Sequence, residues 1–90
     1  MAKLKRIGDG AGDQGSTSQA ILWDDEGKLK TIVSHKPTIG CSMLVGSPNA
    51  RTYVYQDYWL TTIVTEILEE SSDETYVKFK TGNSTYEWWL

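Results

Sequence analysis

The sequence predicts an all-β protein, built as a small barrel or sandwich of about six to seven antiparallel strands, and three observations lead to this prediction. Short runs rich in β-branched and aromatic residues recur along the chain, separated by turn signals. No segment shows the 3.6-residue hydrophobic period of an amphipathic helix. The length of 90 residues fits a single domain over residues 1–90.

The closing segment of the chain predicts a β-hairpin. Gly82-Asn83 separates two alternating runs, and this dipeptide supports the positive φ angles of a two-residue turn. A turn at this place predicts these cross-strand pairs: Lys80 with Thr85, Phe79 with Tyr86, Lys78 with Glu87, Val77 with Trp88 and Tyr76 with Trp89. The register puts Phe79, Tyr86, Val77 and Trp88 on the core side.

Trp89 and Tyr76 fall on the opposite side of this hairpin, which Lys78 and Glu87 mark as solvent-exposed. Two interpretations of these two rings remain open. A loop, the N-terminal strand or a second subunit covers them, or they form an aromatic platform for a ligand.

The strand before the hairpin spans residues 59–68 and is rich in β-branched residues. Simple alternation puts Ile63 and Ile67 on one face and Val64 and Leu68 on the other. Both faces are half apolar, which is typical of a strand that bends across a barrel. Residues 69–74 are acidic and predict an exposed turn.

The remaining strands are predicted with less regular patterns: residues 3–7, 19–23, 28–34, 41–45 and 51–58. The first carries charges at alternate places, which suggests an edge strand. The next two form a hairpin through a three-residue loop with Gly27 in the left-handed conformation. The register set by this loop pairs Trp23 with Leu29 and Ile21 with Thr31. In this register we expect Trp23, Ile21 and Leu29 to face inward.

A glycine-rich segment near the N-terminus, residues 8–18, holds four of the eight glycines and predicts a polar loop without helix or strand. A phosphate-binding loop is a weaker interpretation, because Gly8-Asp9-Gly10 lacks the downstream glycines and the following helix. A calcium loop lacks its closing glutamate. As a lid that orders on a ligand, the segment would use Gly10, Gly12 and Ser16.

Tyr53 and Tyr55 alternate along one strand and share a face with Arg51, which suggests a stacking surface for a base or a peptide. Ordinary packing is the alternative interpretation of these rings. Lys36 is a further candidate contact for an anionic ligand.

The net charge of −3 argues against non-specific nucleic-acid binding. The first residues show no leader, and no stretch approaches a membrane span, so a cytoplasmic location without a membrane partner is expected. One cysteine leaves no intrachain disulfide. The small core of a chain this short favours a homo-oligomer.

His35 and Cys41 are the only histidine and the only cysteine, and they lie six residues apart. Cys41 opens an apolar strand, where a thiol is usually buried and inert. The carboxylates are concentrated in turns, where neighbouring side chains point apart. The sequence therefore predicts a protein that is not an enzyme and that uses no metal and no cofactor.

From Pro37 onward, three motifs stand out: Pro37-Thr38-Ile39-Gly40, residues 59–67 with Trp59 and Thr62, and Thr81-Gly82-Asn83-Ser84-Thr85-Tyr86. In these motifs the chain resembles a class of short proteins met in phage and bacterial genomes. The resemblance covers a little over half of the chain, and Thr62 replaces the usual Ser. It implies an SH3-like barrel and raises the expectation of a phage accessory gene. It carries over no functional residue.

Two functional hypotheses follow. In the first, a non-enzymatic phage anti-defence protein sequesters a small anionic ligand, such as a nucleotide signal, using Gly10, Gly12, Ser16, Lys36, Arg51, Tyr53, Tyr55 and Trp89. In the second, the protein is an interaction module that inhibits a host protein through its aromatic face or its acidic turn. A minor structural protein of a phage is a further alternative.

Overall fold

The computed structural model of the chain describes residues 2–46 and 58–90, and the regular structure in these ranges is eight antiparallel β-strands. The strands are β1 (Ala2–Arg6), β2 (Gly12–Gly15), β3 (Thr17–Trp23), β4 (Leu29–Ser34), β5 (Ser42–Gly46), β6 (Tyr58–Glu70), β7 (Tyr76–Thr81) and β8 (Thr85–Trp89). The all-β prediction is confirmed, with slightly more strands than expected. The strand predicted over residues 51–58 lies outside the described ranges, except for Tyr58.

The strands form one sheet in the order β2-β1-β8-β7-β6-β5-β3-β4. Over the two described ranges, the edge strands β2 and β4 do not pair with each other, so the sheet is not a closed barrel. Of the two predicted architectures, the closed barrel is therefore not what the structure shows. The expected edge position of the first strand is wrong, because β1 lies between β2 and β8.

The long strand β6 joins two halves of the sheet. Residues 58–63 pair with β5, and residues 64–70 pair with β7. We call β3, β4, β5 and residues 58–63 the central half-sheet, and β1, β2, β7, β8 and residues 64–70 the terminal half-sheet. The two halves share one core, which forms on the inner side of both.

Trp88 lies at the centre of this core and is fully buried. Its indole Nε1 donates a hydrogen bond to Ser18 Oγ on β3 at 2.9 Å, which links the terminal half-sheet to the central one. Other buried core side chains are Leu4, Met43, Val45, Val64, Val77 and Phe79. The predicted core residues of the C-terminal hairpin are thus confirmed.

The register of the C-terminal hairpin is confirmed at every predicted pair, from Lys80 with Thr85 to Tyr76 with Trp89. The predicted turn conformation is wrong, because neither Gly82 nor Asn83 has a positive φ. The Thr81 hydroxyl instead accepts hydrogen bonds from the backbone N–H groups of Asn83 and Ser84. This side chain stabilises a tight turn that needs no left-handed residue.

Extra residues in β6 change the faces that simple alternation predicts. The register shifts around Thr65 and again around Leu68, so that Val64 and Ile67 both turn towards the core. Ile63 and Leu68 are exposed instead. The predicted pairing of Ile63 with Ile67 on one face is therefore wrong, because each β-bulge moves the following side chains to the other side.

The hairpin of β3 and β4 is correct in its turn and wrong in its facing. Gly27 has a φ of 79°, and Trp23 pairs with Leu29, as predicted. An extra residue in β4 then pairs Ile21 with Ile32 rather than with Thr31. Leu22 packs against the core, so Trp23 and Leu29 lie on the outer side of the sheet, where Leu29 is exposed. Ile21 pairs on that side too, but it is buried, as its predicted inward position requires.

The glycine-rich segment contains more structure than predicted. Residues 12–15 form β2, which pairs with β1, and β3 begins at Thr17. Gly12 has a φ of 159°, and a Cβ atom there would lie 1.9 Å from the carbonyl oxygen of Leu4. Glycine at this position therefore permits β2 to approach β1. The loop itself is confined to residues 7–11.

Candidate functional site

A cavity of about 350 Å³ lies along β1 and β2 at the edge of the terminal half-sheet. Its lining residues are Lys3, Leu4, Lys5, Gly10, Gly12, Asp13 and Gln14. Two of the predicted site residues, Gly10 and Gly12, are among them. The volume falls at the lower end of the range that small-molecule sites occupy.

The charged side chains on the outer side of this cavity come from β1. Side chains alternate along a strand, and Leu4 is buried in the core, so Lys3 and Lys5 both point outward. Asp13 pairs with Leu4, which puts its carboxylate on the core side of the β1–β2 ladder. Over residues 2–46 and 58–90, no carboxylate oxygen lies within 4.0 Å of either ammonium nitrogen. The outer mouth of the cavity is therefore positive.

Gly12 leaves this mouth open, because it pairs with Lys5 in the ladder and carries no side chain. Gly10 lies beside the same lysine: a Cβ atom at Gly10 would lie 3.5 Å from Lys5 Cε. The two glycines thus form a floor of backbone next to an ammonium group.

Trp89 extends this surface onto the neighbouring strand β8, where it pairs with Lys3. The Lys3 ammonium nitrogen lies 5.7 Å from the centroid of the Trp89 ring, within the range of a cation–π contact. The Tyr76 ring follows on β7, with its centroid 5.6 Å from that of Trp89. Gln14, Lys3, Trp89 and Tyr76 thus form one row across four strands. Of the two interpretations of Trp89, partial cover by the N-terminal strand is observed.

A second row runs parallel to the first and contains Gly12, Lys5, Glu87 and Lys78. The Tyr76 hydroxyl donates a hydrogen bond of 2.8 Å to Glu87 Oε2. Burial, and then this carboxylate, raise the pKa of Tyr76 to about 12, so the phenol remains a proton donor at neutral pH. We call the outward side chains of these two rows, with the cavity, the cationic face.

The loop beside the cavity is anchored by Arg6 and Asp9. Arg6 Nε donates to Asp9 Oδ1 at 3.0 Å, and the guanidinium carbon lies 5.2 Å from the centroid of the Trp59 ring. The hydrogen bond from Arg6 is the main cause that lowers the pKa of Asp9 to about 2. Asp9 Oδ1 also accepts from the backbone N–H of Ala11. The loop is thus held in one shape without a ligand.

Two backbone N–H groups of this loop are already used within it. The N–H of Gly10 donates to the carbonyl of Arg6 at 3.0 Å, and that of Ala11 is used by Asp9. Lysine side chains, rather than these two amides, are the groups that can meet an anion here. Ser16 is exposed at the bend between β2 and β3 and does not line the cavity.

Lys36 lies away from the cationic face. Its ammonium nitrogen is 2.7 Å from Glu70 Oε2 and 3.0 Å from Glu74 Oε1, and the bond to Glu70 is the main cause that raises its pKa. Glu70 pairs with Val77, which points to the core, whereas Trp89 lies on the outer side. The structure therefore separates Lys36 from Trp89. Through Glu70 and Glu74, Lys36 also neutralises part of the negative charge of the acidic turn predicted over residues 69–74.

The predicted site residues Arg51, Tyr53 and Tyr55 lie outside the described residues. Lys3 and Gln14 were not predicted as site residues. Alternating cations in the first strand were a signal for Lys3, but its position beside Trp89 depends on the pairing of the first strand with the last.

His35 and Cys41, the two residues considered for catalysis, have different surroundings. Cys41 is buried, and burial raises the pKa of its thiol. The His35 ring lies 6.2 Å from the core ring of Trp88, and its backbone carbonyl accepts from Ser18 Oγ. In the described part of the chain, no three His, Cys, Asp or Glu residues form a group that could hold a metal ion. The same part contains no helix with the length and apolar character needed to cross a membrane.

No protein-family model, curated protein or solved structure matches this chain significantly. The functional proposal therefore depends on the geometry of its own residues.

Proposed function

We propose that the protein binds a small anionic ligand with an aromatic ring, such as a nucleotide, on the cationic face. The observation that carries the proposal is the open cavity bordered by Lys3 and Lys5, with the Trp89 ring in contact with Lys3. Cations beside an aromatic ring are the groups that recognise a phosphate attached to a base.

The contact between Lys3 and Trp89 suggests how such a ligand is held. In the free protein, the Lys3 ammonium lies over the indole ring. A phosphate in the cavity attracts this ammonium more strongly than a ring does, because it carries a full negative charge. Lys3 then turns towards the phosphate and releases one side of Trp89 for stacking.

The proposal is one of binding rather than catalysis. The side chains of Lys3, Lys5, Asp13 and Gln14 border the cavity, and they offer ammonium, carboxylate and amide groups. The register puts Asp13 on the core side of the ladder, so the outer mouth offers ammonium and amide groups, which hold an anion by charge and hydrogen bonds. If the gene is a phage accessory gene, as the sequence resemblance implies, binding of this kind would sequester a host nucleotide signal.

Isothermal titration with adenosine monophosphate, adenosine and inorganic phosphate tests the proposal. We expect the nucleotide to bind more tightly than either of its parts, because the phosphate and the base use different residues. Equal affinity for phosphate and for the nucleotide would show that Trp89 does not contribute to binding. Undetectable binding of this nucleotide and of a panel of linear and cyclic purine nucleotides would contradict the proposal.

Lys5 and Lys78 form a matched pair for this test, because both flank Glu87 from neighbouring strands, and only Lys5 lines the cavity. Lys5→Ala should weaken nucleotide binding roughly tenfold or more, since a hydrogen bond to a charged group contributes about 1.5–3 kcal/mol. Lys78→Ala should bind nearly like the wild type, because Lys78 belongs to the cationic face but β8 separates its strand from the cavity. An equal loss in both variants would show a general charge effect instead of a site.

A further inference from the structure

The outer side of the central half-sheet is apolar. The register places six exposed or half-exposed apolar side chains on it, here called the apolar face: Leu29, Ile32, Leu44, Tyr58, Leu60 and Ile63. Leu29 exposes 56% of its surface, and Ile32, Ile63 and Leu60 expose 48%, 44% and 42%. Contiguous exposure of this kind in a soluble chain marks an interaction surface.

Part of this side is already covered, because Ile21 and Ser42, which pair there, are both buried. Trp23 lies on the same side, and its indole Nε1 donates to Ser42 Oγ at 2.8 Å across two strands. The buried hydroxyl of Ser42 therefore already has a hydrogen-bond partner. When a partner covers the face, the Ser42 hydroxyl therefore keeps its hydrogen bond.

The neighbouring edge strand β4 is not suited to accept another strand. Its register against β3 leaves Lys30 and Val33 as extra residues, so the edge carries two bulges within Leu29–Ser34. Bulges and lysines on an edge oppose the addition of a further strand. A partner would thus use the face of the sheet rather than its edge.

The absence of charge on this side of the half-sheet favours a second copy of the chain as the partner. The side chains that the register puts on this side of β3, β5 and residues 58–63 are uncharged, including Gln19 and Thr17. A two-fold contact brings each patch against a copy of itself, so a charged patch would oppose like charges. An uncharged apolar patch avoids this repulsion between like charges. A second copy of the chain is also present wherever the protein is made.

The dimensions of the face predict a weak contact. Four strands about 4.8 Å apart, with about six residues each at 3.3 Å, cover roughly 15–20 Å by 20 Å. Stable interfaces bury about 800 Å² on each partner, and a face of roughly 300–400 Å² is about half that size, so it predicts a weak, transient contact. The expected dissociation constant is therefore in the upper micromolar range.

We propose that the apolar face is a self-association surface, through which two copies of the chain pack their central half-sheets face to face. This pairing buries the outer side of one half-sheet and leaves the cationic face of the other half-sheet accessible in each copy.

Sedimentation velocity over a range of about 1–500 µM measures the association directly, because that range brackets a micromolar dissociation constant. As the concentration rises, we expect the average mass to increase from that of one chain towards that of two chains. Leu60→Lys should raise the dissociation constant at least tenfold, because it puts a charge within the face, opposite Leu44. A wild-type protein that stays monomeric over the whole range would overturn the proposal.

Leu68→Lys is the matched control. Leu68 lies on the same strand and exposes 41% of its surface, but it follows the point at which β6 leaves β5. This variant should dimerise like the wild type. Equal loss in both variants, or a Leu60→Lys protein that dimerises normally, would place the contact elsewhere. If Leu60→Lys does not fold, as judged by circular dichroism, Ile32→Lys provides the same test from the edge strand.

Discussion

The two half-sheets share one core, to which the terminal half-sheet contributes most of the buried side chains, yet their outer sides differ in chemistry. The terminal half-sheet presents Lys3, Lys5, Lys78 and Glu87 around the rings of Trp89 and Tyr76. The central half-sheet presents aliphatic side chains without charge. The same strand geometry therefore supports two surfaces, and only one of them suits permanent contact with water.

This difference is the basis of the two proposals made for the chain. Aromatic rings on the cationic face are covered in part by a lysine and by each other, which lowers the cost of leaving them exposed. The leucines and isoleucines of the apolar face have no such cover among the described residues. We therefore assign the first surface to a small ligand and the second to another copy of the chain.

The largest expected effect concerns the core that the two half-sheets share. Trp88→Ala should lower the free energy of unfolding by about 3–5 kcal/mol, because it removes a fully buried ring and its bond to Ser18. Urea denaturation measures the change. Trp89→Ala, one residue along on the outer side, should cost far less and should weaken nucleotide binding instead. Similar losses in both variants would show that the inner and outer sides are not distinct.

A smaller effect is expected at the floor of the cationic face. Gly12→Ala should cost about 1–3 kcal/mol, because its Cβ would collide with the Leu4 carbonyl and force β2 away from β1. Gly82→Ala is the control, since no atom lies within 4 Å of a Cβ there and its φ is not positive. Thermal unfolding compares the two. A Gly12→Ala protein as stable as the control would contradict the close approach of β2 to β1.

The two hairpins show which features of the fold can be predicted from the sequence and which cannot. The register of β7 and β8 could be predicted, because strict alternation on both sides of Gly82-Asn83 permits only one pairing. The facing of β3 and β4 could not, because both sides of β3 are apolar, and it is Leu22 rather than Trp23 that packs against the shared core. The extra residue in β4 then changes the partner of Ile21. Bulges depend on contacts with distant strands, which local alternation does not record.

The candidate site shows a similar limit. Gly10, Gly12 and Trp89 were predicted from glycine content and from the surplus of rings, and the structure brings them to one surface. The partnership of Lys3 with Trp89 joins the two ends of the chain, and no spacing along the sequence predicts it. Lys36 was predicted from its charge alone, and Glu70 and Glu74 already hold it.

The smallest expected effect concerns the loop beside the cationic face. Asp9 should titrate with a midpoint at about 2 instead of 3.8, because Arg6 stabilises its charged form. A carboxyl with a pKa lowered by folding stabilises the fold above 3.8, and this contribution is lost as the pH falls towards 2. The carboxyl carbon shift of Asp9 in NMR follows the titration. Arg6→Gln should return the midpoint towards 3.8, and an ordinary midpoint in the wild type would show that the loop is not anchored.

The central claim is that the two outer sides act independently, one on a nucleotide and one on a second copy. Sedimentation velocity with adenosine monophosphate, followed at a wavelength where the nucleotide absorbs, reads the mass of the assembly and the bound ligand together. We predict that Lys5→Ala loses the ligand and keeps the dimer, whereas Leu60→Lys loses the dimer and keeps the ligand. Loss of both properties in either folded variant, or of neither property in both variants, would contradict the account.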